Sequence, residues 1–204
     1  MRFNLPNALT WLRILAIPLV VIAFYLPVPW ARPAAGVIFG LAGVTDYLDG
    51  YLARRLKQTS SFGAFLDPVA DKLIVSTALV LLVQARAGDV AYNVHFDLGR
   101  DPTITLAVVA AVIVGREITV SALREWMSTL GQRAHVAVNW LGKWKTTAQI
   151  IGIGLMLYRE RVLGFGVYAL GEVMLYIAAA LTLASMIDYL RAAWPLMRGS
   201  DAAR

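Results

Sequence analysis

Cysteine is absent from the chain, which excludes disulfides, thiolate metal sites and a cysteine nucleophile, and leaves redox chemistry silent about compartment. Histidine is almost absent: His95 and His135 each stand alone in a polar stretch between apolar runs, without the partners that a histidine metal site or an acid–base pair needs. Charge is scarce too, at 16% of 204 residues against 59% hydrophobic, and mean hydropathy is +0.64. That balance is too apolar for a soluble domain. No internal repeat, low-complexity tract or Pro- or Gly-rich linker divides the sequence, so residues 1–204 read as one membrane domain.

Several apolar runs are long enough to cross a bilayer. Residues 1–10 suggest a short interfacial segment that turns at Pro6 and caps the next helix with Asn7 or Thr10. Six spans are expected to follow, starting near Trp11, Ala34, Ser60, Thr103, Val138 and Gly164. The fold class is therefore an all-α integral membrane protein with six transmembrane helices. Arg2 and Arg13 ahead of an apolar run resemble a secretory leader, but further spans follow without a small-residue cleavage site, so the first helix is read as retained.

Against this background the charges that do occur are concentrated. Asp46 and Asp49 are three residues apart, and Asp67 and Asp71 four apart, so each pair lies on one face of its own helix. At 1.5 Å per residue, Asp46 lies about 18 Å along the second span, in the half nearer its exit at Arg54, and Asp67 and Asp71 lie about 10 and 16 Å into the third from the same side. The two acidic stripes reach comparable depth, as in an antiparallel helix pair enclosing one site. Four carboxylates in a bilayer cost on the order of 10 kcal/mol unless cations offset them. Clustered oxygen ligands select hard divalent ions, Mg²⁺ or Mn²⁺ rather than Zn²⁺. Packing salt bridges with Arg and Lys are the plain alternative.

Arg116 and Glu117 fall about 20 Å into the fourth span, with Arg124 and Glu125 near its exit, and Lys143 and Lys145 open the fifth. Basic groups thus converge on the carboxylate end. Snorkelling and topology would explain any one of them alone; as a group Arg116, Arg124, Lys143 and Lys145 suit an anionic substrate. Five of the 19 Lys and Arg (Arg32, Arg86, Arg100, Arg159, Arg161) fall on the far side and fourteen toward the site. The positive-inside rule then turns the site to the cytoplasm, and the net charge of +6 reads as lipid and topology rather than nucleic acid.

The stretch from Asp46 to Asp71 fits, without mismatch, the pattern Asp-x2-Asp-Gly-x2-Ala-Arg-x8-Gly-x3-Asp-x3-Asp. It resembles the signature of the CDP-alcohol phosphatidyltransferase family. The resemblance implies a six-helix membrane enzyme, usually a homodimer, that moves a phosphatidyl or similar group from a CDP-linked donor to an alcohol and releases CMP. By the same resemblance Asp46, Asp49, Asp67 and Asp71 would hold two ions, Mg²⁺ or Mn²⁺, and Asp71 would also be the base. Asp46, Gly50, Ala53, Arg54 and Gly63 would bind the CDP donor, the small residues leaving room for base and ribose and Arg54 pairing with phosphate.

Three weaker stretches, Asn4-Leu-Pro6-Asn7-Ala-Leu-Thr10-x2-Arg13, Gly115-Arg116-Glu117 through Arg124-Glu125, and Gly142-Lys143-Trp-Lys145-Thr146-x2-Gln149, resemble the branch making phosphatidylglycerol phosphate. That implies CDP-diacylglycerol as donor and sn-glycerol 3-phosphate as acceptor, its phosphate held by Arg116, Arg124, Lys143 and Lys145, in a bacterial inner membrane. Alternatives are another acceptor (phosphatidylglycerol, inositol phosphate or serine) or, in a different class, a cation transporter using the same carboxylates.

Overall fold

A computed structural model describes residues 5–56, 61–88, 102–129, 140–162 and 164–201, which form six helices, one two-residue ladder and short turns. The helices are α1 (Leu5–Tyr25), α2 (Ala31–Leu56), α3 (Ser61–Gly88), α4 (Pro102–Thr129), α5 (Trp140–Tyr158) and α6 (Val167–Asp201). Between α5 and α6 lies a short antiparallel hairpin, β1 (Arg161–Val162) with β2 (Phe165–Gly166), Arg161 opposite Gly166 and Val162 opposite Phe165. Gly164, at φ 84°, supplies the left-handed backbone of its turn.

Helix ends follow local chemistry. Pro27 and Pro29 stop α1 after Tyr25 because proline has no N–H to continue the ladder. Pro33 falls in the first turn of α2, where no intrahelical donor is lost. The same reasoning corrects the N-terminus. Residues 5–10 belong to α1 rather than to a separate interfacial segment, since Pro6 in a first turn does not break a helix. The polar tail after Leu190 likewise continues as helix to Asp201.

Three of the six helices contain stretches long and apolar enough to cross a membrane: Ala8–Tyr25, Ile104–Thr129 and Val167–Arg191. The chain is an integral membrane protein. Helices α2 and α3 are long enough, at 26 and 28 residues, but carry the acidic stripes that lower their mean hydropathy. Large apolar side chains point outward as well as inward; Leu12, Leu15, Leu19 and Ile22 form an exposed stripe on α1, the surface expected against lipid.

Going round the bundle, the packed neighbours are α1–α2, α2–α5, α5–α6, α6–α4, α4–α3 and α3–α1, with α3 also touching α5. The main core runs through it, with Val20 and Phe24 of α1, Phe39 of α2, Leu79 and Leu82 of α3, Ile113 of α4, Ile153 and Met156 of α5 and Leu175 of α6, and a smaller cluster joins Leu123 and Met127 of α4 to Ala193 of α6. Where α5 crosses α6, backbones touch: a Cβ on Gly152 would lie 2.8 Å from the Gly171 carbonyl oxygen, and one on Gly171 2.7 Å from that of Gly152.

This order changes the expected pairing of the acidic helices. Helices α2 and α3 each pack chiefly on α1, which lies between them, rather than on each other. Two acidic stripes repel if juxtaposed; an intervening helix that carries a cation does not.

Candidate functional site

That cation is Arg13. It stands on α1 three residues after Thr10, so the two side chains share a face. Arg13 is 1% exposed, and its Nη1 lies 3.0 Å from Oδ1 of Asp46 on α2 and 2.6 Å from Oδ1 of Asp71 on α3. The two carboxylate oxygens are therefore no farther apart than these two lengths laid end to end. Thr10, also buried, donates its hydroxyl to Oδ1 of Asp67, one turn before Asp71. One face of α1 thus engages all three described carboxylates of the acidic motif.

A second polar group is assembled from α4, α5 and α6. Arg116 is buried, with Nη1 3.1 Å from Oε1 of Glu117 and Nη2 donating to Oγ of Ser185 at 2.9 Å. Lys145, also buried, donates to the same Ser185 oxygen at 3.4 Å. Two cations converging on one hydroxyl leave excess positive potential there, which suits an anion. Arg124, two turns after Arg116, is exposed and hydrogen-bonds the Val120 carbonyl through Nε at 3.4 Å.

Both groups open into one cavity of about 1330 Å³. Its lining includes Arg13, Asp46, Asp71 and Lys72 from the first three helices, and Arg116, Arg124, Lys145, Gln149, Ser185 and Asp188 from the last three. Apolar walls come from α2 and α5, including Val37, Phe39 and Ile150. A lining of both charged and apolar groups fits a ligand that has a charged head and a hydrocarbon tail.

The residues singled out in the sequence are distributed as follows. Asp46 and Asp71 are brought together at the cavity, and Asp67 is one turn away on Thr10. Gly63 is buried. Arg116, Arg124 and Lys145 line the same space. The side chains of Asp49, Gly50, Ala53, Arg54 and Lys143, and both histidines, lie outside the described residues. Among the described residues no three potential ligands stand close enough to hold one ion. The donors present are nonetheless all carboxylate oxygens, with a guanidinium already between two of them, so the place favours positive charge and suits a hard divalent cation.

The cavity also contains residues that the sequence reading passed over. Arg13 is the one charged residue of α1, and a lone arginine inside an apolar helix signals a buried partner, a signal that topology and motif alone do not use. Ser185 and Asp188 are three apart on one face of α6, but nothing local distinguishes them from ordinary polar residues.

A family model for CDP-alcohol phosphatidyltransferases matches residues 3–184. The chain is 48% identical, over 95% of its length and 95% of the relative's, to a Haemophilus influenzae protein named CDP-diacylglycerol–glycerol-3-phosphate 3-phosphatidyltransferase. Proteins of the same name from Escherichia coli K12 and Shigella flexneri are 47% identical, over 95% of this chain and 96% of theirs.

Proposed function

The chain belongs to the CDP-alcohol phosphatidyltransferase family, and from that premise we propose that it transfers the phosphatidyl group of CDP-diacylglycerol to sn-glycerol 3-phosphate, giving phosphatidylglycerol phosphate and CMP. The observation that carries this reading is the single cavity in which Asp46 and Asp71 meet Arg116, Arg124 and Lys145. Carboxylates can hold metal and accept a proton, and the cations can hold an acceptor that is itself a phosphate. Serine, net neutral and without a phosphate, would bring Arg116 and Lys145 a carboxylate offset by its own ammonium.

In this reading the acceptor hydroxyl gives its proton to Asp71 as its oxygen forms a bond to the β-phosphorus of the donor, the one bearing diacylglycerol. The bond from that phosphorus to the bridging oxygen breaks, and CMP leaves with the electron pair. Arg116 and Lys145, tied through Ser185, hold the acceptor phosphate and so fix the distance of its hydroxyl from the donor. Gly50, Ala53, Arg54 and Gly63, with Asp46, would receive the CDP portion. The family is generally dependent on divalent metal; Asp46, Asp49, Asp67 and Asp71 would hold two ions, Mg²⁺ or Mn²⁺. When bound, such ions neutralise the pyrophosphate and stabilise departing CMP.

We read all six helices as crossing the bilayer in one domain, a homodimer in a bacterial inner membrane with the cavity facing the cytoplasm. The apolar walls then admit the diacylglycerol tails from the lipid. Family membership removes the ground for a cation transporter.

The test is CMP release by the purified protein with CDP-diacylglycerol and Mg²⁺, comparing glycerol 3-phosphate with serine, inositol phosphate and phosphatidylglycerol. Release requiring both metal and glycerol 3-phosphate is the expected result. Release driven by another acceptor would keep the Asp71 chemistry and overturn the role given to Arg116 and Lys145.

A further inference from the structure

Asp71 is the base in the reaction above, yet its Oδ1 is 2.6 Å from the Arg13 guanidinium. A guanidinium so close competes at that oxygen with the proton of an alcohol. We propose that Arg13 exchanges partners in the catalytic cycle: it holds Asp46 and Asp71 together while the site awaits substrate, then turns to the donor's pyrophosphate and frees Asp71 for the acceptor. The inference rests on the transferase reading and adds to it a residue that contacts the donor.

Three observations carry it. Arg13 is fully enclosed yet lines the cavity, so its head can reach a ligand there without leaving the bundle. Its contacts with Asp46 and with Asp71 both run through Nη1, so one rotation of the guanidinium releases that pair. A guanidinium also pairs with phosphate oxygens in the geometry it uses for carboxylate.

Charge balance gives the exchange its direction. With the four aspartates uncompensated, Arg13 is needed where it stands. Were two divalent ions held by the carboxylates, the charge of Arg13 would become surplus there, and the donor's pyrophosphate, shared with those ions, would be the nearest anion for its guanidinium. The base is thereby unmasked only after the donor is seated.

The test compares wild type with Arg13→Gln and Arg13→Lys, using Mn²⁺ affinity by electron paramagnetic resonance without substrate, and steady-state kinetics with both substrates. Removing a cation from between two metal-binding carboxylates is expected to tighten Mn²⁺ by about tenfold or more in Arg13→Gln. The same variant is expected to raise KM for CDP-diacylglycerol by about tenfold or more, leaving KM for glycerol 3-phosphate unchanged. Arg13→Lys keeps the charge but not the fork, and should return Mn²⁺ affinity to near wild type while KM for the donor stays raised.

Unchanged or weaker Mn²⁺ binding in Arg13→Gln would overturn the proposal and reduce Arg13 to a structural clamp. Tighter Mn²⁺ with an unchanged donor KM would overturn the exchange. If Arg13→Gln does not fold, the lysine variant decides alone, since wild-type kinetics from it contradict any role for the guanidinium fork. Wild type that binds Mn²⁺ but releases no CMP would instead strike at the transferase reading.

Discussion

The protein places buried arginines at both ends of helix α3 and uses them oppositely. At one end Arg13 meets Asp46 and Asp71, whose side chains are 36% and 44% exposed into a cavity of about 1330 Å³. Fifteen residues along α3 from Asp71, about 22 Å away, Arg86 lies 3.5 Å from Glu172 with both side chains 4% exposed. Tyr176 donates its hydroxyl to the same Glu172 oxygen at 2.7 Å, and the Tyr168 ring centroid is 5.6 Å from the Arg86 guanidinium. The cavity beside Arg86 measures about 10 Å³, room for roughly one water. One end leaves its carboxylates open to a ligand; the other closes them within protein. The lesson is that burial of the cation alone does not distinguish a working site from a structural pair. The accessibility of its anions does.

The largest difference should appear on Asp71→Asn. It is expected to lower kcat by about a thousandfold, the range for loss of a general base, with thermal unfolding in detergent nearly unchanged. Retention of full activity would remove the base assignment. At the closed end, Glu172→Gln leaves the Arg86 charge buried without its counter-charge and should destabilise the fold by about 3–5 kcal/mol. That variant's folded fraction should keep wild-type kcat, and calorimetry with activity normalised to folded protein separates the two effects.

Arg116→Gln removes a charge-assisted contact to the acceptor phosphate and should raise KM for glycerol 3-phosphate by about ten- to a hundredfold. The donor KM is expected to stay put, and initial-rate kinetics at saturating donor measure it. Ser185→Ala should have the smallest effect, raising the same KM a few-fold by freeing Arg116 and Lys145 from their shared hydroxyl. A donor-side effect from either variant would blur the division of the cavity into two binding regions.

Much of this was legible in the sequence because helical spacing is local. Asp46, Asp67 and Asp71 could be placed by counting residues, and the gathering of Arg116, Arg124 and Lys145 near them followed from depth alone. Helix starts fall near those expected where proline or charge marks them, except at Pro6, where a first-turn proline reads as a break and is not one. What spacing could not give was the neighbour relation. That α1 stands between α2 and α3 depends on which faces pack, so spacing alone gives Arg13 and Thr10 no more than topology and capping. Ser185 escaped notice because its importance comes from two cations on other helices. Of the six expected crossings, three are matched by helices apolar enough to span, because the charges needed for a site depress hydropathy in the helices that carry it.

The central claim is that metal-binding carboxylates and phosphate-binding cations face one shared cavity. Relaxation of the ³¹P nucleus of glycerol 3-phosphate, measured with Mn²⁺ bound to the purified protein, tests it most directly. Strong paramagnetic enhancement in wild type, lost when Arg116→Gln and Lys145→Gln are combined, is the predicted result. Absence of enhancement in wild type, or its persistence in that double variant, would contradict it.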